Sequence, residues 1–377
     1  MKLAQIITIG VLAAVGWATV SAQTNAPIVV GEYGCLTGSE ATFGTNTRNG
    51  VTLAIEQVNA AGGINGRRVE LKAYDTAGKT SEAGSAVSRL IHEDKAVAII
   101  GESISSLSIA GGTVAQKFGV PMVSPSSTHP RVTQVGDMIF RICFTDAFQG
   151  AAAARFAFEN LKGRKAAVLF DQGQTYSTGL RDAFVKSFEK LGGKISITQA
   201  YSGGDQNYTA QLTTIRDTKP DIVFIPGYYT DAGNIAIQAR KLGLKATLLG
   251  GDGWDSDQLA AIGGDAIEGA YYTNHFAPDE PRPAVQEFMQ RYHDRFNQTA
   301  DSGSALGYDA ARIICDALKR APSLNGKEIA AALSKIKDYP GVTGTITIDA
   351  ERNAQKSIVV VQVKAGQPRL VTTLEAK

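Results

Sequence analysis

The sequence predicts an α/β protein made of two domains that share one topology, each with a mostly parallel sheet. Three observations carry this. Short β-branched runs alternate with longer helical stretches from Ile28 onward. The same order of elements returns from Lys165. Glycine and proline landmarks in the two halves keep nearly constant offsets. With 377 residues and 44% apolar content, the chain can bury a sizeable core in each domain.

In the first half, Ile28–Val30 reads as a strand, Gly44–Ala60 as a helix, Arg68–Tyr74 as a strand and Ser81–Glu93 as a helix. Ala96–Ile100 is then a strand, Leu107–Phe118 a helix and Val120–Val123 a strand. Strands separated by helices of this length imply right-handed βαβ crossovers. In the second half, Lys165–Phe170 is a strand, and Thr178–Leu191 a helix with Leu180, Phe184, Phe188 and Leu191 on one face. Lys194–Ala200, Asp221–Ile225 and Ala246–Leu249 follow as strands, separated by helices at Tyr208–Asp217 and Asp231–Leu242.

The landmarks align the halves. Gly62-Gly63 and Gly192-Gly193 end matching helices 130 residues apart; Gly101 and Gly227 follow matching strands 126 apart, as do Pro125 and Gly251. An internal duplication explains this economically. Beyond Gly264 the pattern changes: a strand at Ile267–Thr273, helices at Val285–Phe296, Ser304–Arg320 and Lys327–Lys335, and strands at Gly344–Ile348 and Ser357–Val363. This tail is too short for a third copy, so it is expected to complete both domains and make them discontinuous. The expected division is a leader at 1–22, lobe 1 at 23–144 plus 276–345, and lobe 2 at 145–275 plus 346–377.

The leader is a secretory signal: Lys2, an acid-free apolar run from Leu3 to Val20, and Val20-Ser21-Ala22 before Gln23. No cysteine stands at the cleavage point for lipid attachment. Without Lys2 the mature chain has 37 bases against 36 acids. That balance offers no electrostatic footprint for nucleic acid. Three cysteines (Cys35, Cys143, Cys315) allow at most one disulfide. Cys143 and Cys315 read as small buried hydrophobes.

In parallel α/β sheets, ligands sit beyond the carboxyl ends of the strands. In the first copy the loops there are Glu32–Gly44, Glu102–Ser106 and Ser124–Thr128; in the second they are Asp171–Ser177, Tyr228–Thr230 and Gly250–Trp254. One set is dense in hydroxyls, the other in tyrosine and acid. They are expected to face each other across a cleft. Ser105 at a helix N-terminus, with Ser126 and Thr128, suits a carboxylate. Asp252 opposite suits an ammonium. A single serine in such a place is ordinarily an N-cap, and only the clustering argues for a site. Phosphate-loop, dinucleotide and nucleophile-elbow motifs are absent, and His92, His129, His275 and His293 are scattered without zinc spacing. No enzyme activity, metal or cofactor is expected.

The turn Asn59-Ala60-Ala61-Gly62-Gly63-Ile64-Asn65-Gly66, the run Ala98-Ile99-Ile100-Gly101, the segment from Pro121 to Thr128 and Pro226-Gly227-Tyr228-Tyr229 carry a family resemblance. Together with the leader they resemble the branched-chain amino-acid binding proteins of ABC transporters, over the whole mature chain. The resemblance implies a type I periplasmic binding fold, two Rossmann-like lobes joined by three hinge strands, like the leucine/isoleucine/valine-binding proteins. It implies a periplasmic monomer that closes on an aliphatic or aromatic amino acid and presents it to an ABC permease in the inner membrane. Relatives that bind amides, urea or aromatic carboxylates, and a soluble sensor, are the alternatives.

By motif, the resemblance makes Ser105 and Thr128 carboxylate-binding hydroxyls, Ser126 the source of a backbone carbonyl that accepts from the ammonium, Tyr228 a hydroxyl from the other lobe and Asp252 the ammonium's acid. Tyr176 and Phe43 match aromatic covers. The chain departs from the family where Asp252 replaces the frequent glutamate, and where Gly78 and Ile104 stand at the positions of a small disulfide. Glu102 and Ser103 are expected to make the pocket floor polar, and Trp254 to narrow the pocket or stack on the ligand.

Overall fold

The computed structural model describes residues 26–375, so the predicted leader lies outside the described residues. The first sheet is built from β1 (Ile28–Gly34), α1 (Ala41–Ala60), β2 (Val69–Asp75), α2 (Thr80–His92), β3 (Ala98–Ile100), α3 (Ser105–Phe118), β4 (Met122–Ser124), α4 (Arg131–Gln134) and β5 (Ile139–Arg141). Its strand order is β2-β1-β3-β4-β5, parallel throughout.

The second unit continues with α5 (Asp146–Arg155), β6 (Lys165–Asp171), α6 (Thr175–Lys190), β7 (Lys194–Tyr201), α7 (Thr209–Asp217), β8 (Ile222–Ile225), α8 (Tyr229–Lys241), β9 (Thr247–Gly250), α9 (Asp257–Gly263) and β10 (Tyr271–Asn274). The tail supplies α10 (Pro283–Phe296), α11 (Ser302–Arg320), α12 (Gly326–Leu333), β11 (Tyr339–Gly341), β12 (Gly344–Ile348), β13 (Ala354–Gln355), β14 (Ile358–Lys364) and β15 (Gln367–Leu374). The second sheet runs β15-β14-β10-β9-β8-β6-β7; β14 and β15 join it antiparallel, across β10.

The tail therefore serves both sheets. α11 lies along α1 so closely that a Cβ on Gly50 would stand 1.9 Å from the Ser304 carbonyl oxygen, and one on Gly307 2.3 Å from that of Thr47. Only glycine lets the two backbones meet. This crossing brings Thr47 and the N-terminal turn of α11 to the same edge as the β3–α3 loop. Residues 349–353 still pair with the first sheet: Arg141 N–H donates to Arg352 O at 3.1 Å, and Thr133 Oγ1 to Asn353 Oδ1 at 3.0 Å. The return to the second sheet comes only with β14, later than the expected boundary after 345.

Most expected elements occupy their places with ends shifted by a few residues. The strand expected at Val120–Val123 starts at Met122, because Gly119 in the left-handed region and a Val120 N–H bond to Ala115 O still finish α3. The strand expected from Ile267 starts at Tyr271, since a turn with Gly269 at φ +79° precedes it. β5, α5 and β15 lie in stretches where the sequence pattern predicts no element. The three cysteines are buried free thiols.

Candidate functional site

The cleft between the two sheets' carboxyl edges holds a small cavity of about 30 Å³. Phe43, Ser103, Ser105 and Ser126 line it from the first lobe; Tyr176, Tyr228 and Asp252 line it from the second. Contacts join the lobes around it. The Tyr229 hydroxyl and Thr230 Oγ1 both donate to Ser39 O, at 2.9 and 3.0 Å, and Ser302 N–H donates to Asp255 Oδ2 at 2.8 Å. The arrangement is a closed one.

On the first lobe, Ser105 opens α3, where the first-turn amides and the helix dipole favour an anion. Its Oγ accepts from His129 N–H at 3.3 Å. Ser126 follows Pro125 in the loop after β4, and its hydroxyl has no partner among the described residues. That loop is held from below by the buried Arg141 of β5, which donates to Ser127 O at 2.8 Å and to His129 O at 2.9 Å.

Thr128 does not reach the cavity lining. Its side chain is fully buried beside Asp146, at the crossing to α5. Burial pushes the Asp146 carboxyl up to about 8, with the charge of Asp252 adding to it. Glu102 also lies beneath the floor rather than in it. Its carboxylate accepts from Ile104 N–H and, at 3.3 Å, from Thr76 Oγ1, while its carbonyl accepts from the hydroxyls of Ser108, Ser124 and Ser127 at 2.8 Å each. It knits the two hydroxyl loops together. Burial pushes its carboxyl up to about 7.

On the second lobe, Asp252 is the focus. Its Oδ1 accepts from Gln149 Nε2 at 2.8 Å and from the Tyr176 hydroxyl at 2.9 Å; its Oδ2 lies 2.9 Å from His275 Nε2. Burial pulls the His275 imidazole below its ordinary range, so the ring is the neutral donor here. Three neutral donors fix the carboxylate, and no protein cation pairs with it among the described residues. Gly251 and Gly253 let the loop come this close: a Cβ on Gly251 would lie 2.5 Å from the Tyr176 hydroxyl. Tyr228 stacks on Tyr176 at 5.3 Å between ring centroids, and Phe43 meets Tyr228 edge-on at 5.7 Å.

Trp254 corrects an expectation. The single 3-10 turn over Asp252–Trp254 sends the two side chains to opposite sides. Asp252 faces the cleft, whereas the Trp254 indole is fully buried in the second lobe's core and donates to Ile225 O at 3.1 Å. It neither narrows the cavity nor offers it a stacking face.

Sequence reading missed His275, Gly253, Ser302 and Gly303 among the lining residues, and Gln149 behind them. His275 follows β10, the strand beside the one that carries Asp252, so the carboxyl-edge rule applied to the tail finds it. Ser302 and Gly303 sit behind the capping box of Asp301 and Ser304, a signal readable from the sequence.

A family model described as periplasmic binding protein matches residues 27–368. The chain is 31% identical to the Leu/Ile/Val-binding protein BraC3 of Rhizobium johnstonii over 325 residues, covering 86% of this chain and 88% of that protein. A crystal structure of the leucine-binding protein LivK of Thermotoga maritima superposes with a TM-score of 0.88 at 36% identity, covering 92% of this chain and 99% of that one. LivJ of Streptococcus pneumoniae, solved with isoleucine, gives 0.87 at 30%, covering 93% and 99%. With two lobes of one topology, a cleft lined from both and likeness along nearly the whole described chain, this protein belongs to the periplasmic binding proteins, among the Leu/Ile/Val-binding branch of that family.

Proposed function

We propose that the chain captures an α-amino acid between its lobes and delivers it to an ABC permease in the inner membrane. The observation that carries the reading is the Asp252 carboxylate, fixed by three neutral donors and facing the Ser105 end of α3 across one small cavity. An acid without a protein cation is complementary to an ammonium; a helix N-terminus with hydroxyls is complementary to a carboxylate. The Leu/Ile/Val-binding and leucine-binding relatives support the same ligand class.

Ligand docks on the Ser105/Ser126 face and meets Tyr228 and Asp252 as the lobes close. Only the closed form uses both sets, so ligand shifts the equilibrium by its differential affinity. In this reading the protein is a periplasmic monomer exported by its leader, with the second lobe resumed at β14. A thermal-shift screen on refolded, ligand-free protein tests it. Amino acids raising the midpoint support the reading; a response confined to amides, urea or aromatic carboxylates overturns the ammonium assignment.

A further inference from the structure

We infer that the cavity selects amino acids with a short, uncharged, hydrogen-bonding side chain, of the serine, threonine or asparagine kind, over branched aliphatic ones; this rests on the amino-acid reading above. No aliphatic side chain lines the cavity. Besides the rings of Phe43, Tyr176 and Tyr228, the wall away from Asp252 and Ser105 is made by Ser103, Ser302 and Gly303.

Each of these presents polar atoms with spare capacity. Ser103 Oγ lies 3.2 Å from Thr47 Oγ1, which leaves one of its bonding directions open. The Ser302 residue is buried, and its hydroxyl has no partner among the described residues. In the same turn, Ser302 N–H goes to Asp255 and Ser304 N–H to Asp301 Oδ1 at 2.8 Å, which leaves the Gly303 amide between them unclaimed. An isobutyl or isopropyl group placed here desolvates these groups without pairing them. A side-chain hydroxyl or amide pairs them, and polar sites of this kind reject the apolar isostere strongly.

Charge is excluded on both sides. Asp255 and Asp301 stand at the N-terminal turn of α11 and offset its dipole against an acidic ligand side chain. The same negative surroundings, added to burial, push the Asp301 carboxyl up to about 6. Neither acid is free for a cationic side chain. Asp301 accepts from Asn46 Nδ2 and from both the amide and hydroxyl of Ser304; Asp255 accepts from the Tyr272 hydroxyl and Ser302 N–H.

Two isosteric pairs test the inference by calorimetry on the refolded mature chain: threonine against valine, and asparagine against leucine. Threonine and asparagine are each expected to bind at least about 10-fold tighter than their apolar partner. In a Ser103→Ala/Ser302→Ala double variant, with its melting midpoint as a check on folding, the ratio is expected to fall below about threefold. Valine binding as tightly as threonine, or leucine as asparagine, overturns the inference and leaves the amino-acid reading standing. Binding of benzoate or urea with no amino acid bound overturns both. The wild-type ratios decide the matter if the double variant does not fold.

Discussion

His275 Nε2 stands 2.9 Å from Asp252 Oδ2, and the same ring is stacked on Phe144 at 3.7 Å between centroids. Phe144 and His275 lie on two of the segments that pass between the lobes. The crossing region and the cleft's acid therefore share one side chain. His275→Ala is expected to weaken amino-acid binding by about 1.5–3 kcal/mol, the scale of a hydrogen bond to a charged group. His275→Gln, which keeps a donor, should recover part of the loss. Equal affinities for wild type and His275→Ala, measured by calorimetry, remove the positioning role.

Asp252→Ala removes one partner of a desolvated charge pair. Amino-acid affinity should fall by about 2–5 kcal/mol, and the melting midpoint without ligand should fall modestly as well, because Gln149, Tyr176 and His275 lose their shared acceptor. Retained affinity in the variant refutes the ammonium assignment.

Closure carries a proton linkage at Glu40. This carboxyl leads into α1, and its Oε2 is buried without a partner. Burial pushes it up to about 8, with Asp231 of the other lobe adding to the effect. In an open form, away from Asp231 and exposed to water, it returns toward its ordinary 4.5. Between these values the closed form holds the extra proton, so closing is favoured at low pH and that advantage is lost as pH rises toward 8. Ligand dissociation constants should therefore rise from pH 5.5 to 7.5, and Glu40→Gln should flatten the profile. A Glu40→Gln profile as steep as wild type counts against the linkage.

Gly50→Ala forces a Cβ against the Ser304 carbonyl. Overpacking typically costs about 1–3 kcal/mol, and backbone contact leaves little room for relief, so the upper end is expected. Chemical denaturation measures it. A change under about 0.5 kcal/mol means that α1 and α11 part more easily than their approach implies.

Trp254→Ala should cost about 3–5 kcal/mol of stability, as large core truncations do. The ranking of ligands should remain unchanged. A reordered ranking in a folded variant returns the indole to the cleft.

The regular alternation from Ile28 to Leu249 was legible because β-branched strands and capped helices repeat with clear periods. α5 was not: its Gly150-Ala151-Ala152-Ala153-Ala154 run has helix propensity but no apolar stripe to mark a face. β15 was missed because an exposed edge strand, Gln367–Leu374, lacks a buried run. In the cleft, Ser105, Ser126 and Asp252 were legible through their places at strand ends. His275 and Ser302 were not, because they belong to elements that return from the tail, where the duplicated pattern no longer guides the eye. Trp254 shows the limit within a single turn: three residues after a strand can aim one side chain at the cleft and another at the core.

The α1–α11 crossing also sets an order of events for a chain synthesised from its N-terminus. Sheet one is complete in sequence by Arg141, yet the helix interlocked with Gly50 begins only at Ser302, after the intervening lobe. Sheet two waits still longer, for β14 and β15 at the very end. Neither half can finish its core on a truncated chain, and both reach their full packing together as the last residues arrive. The joined fate of the two lobes is thus written into their assembly as well as into their closing.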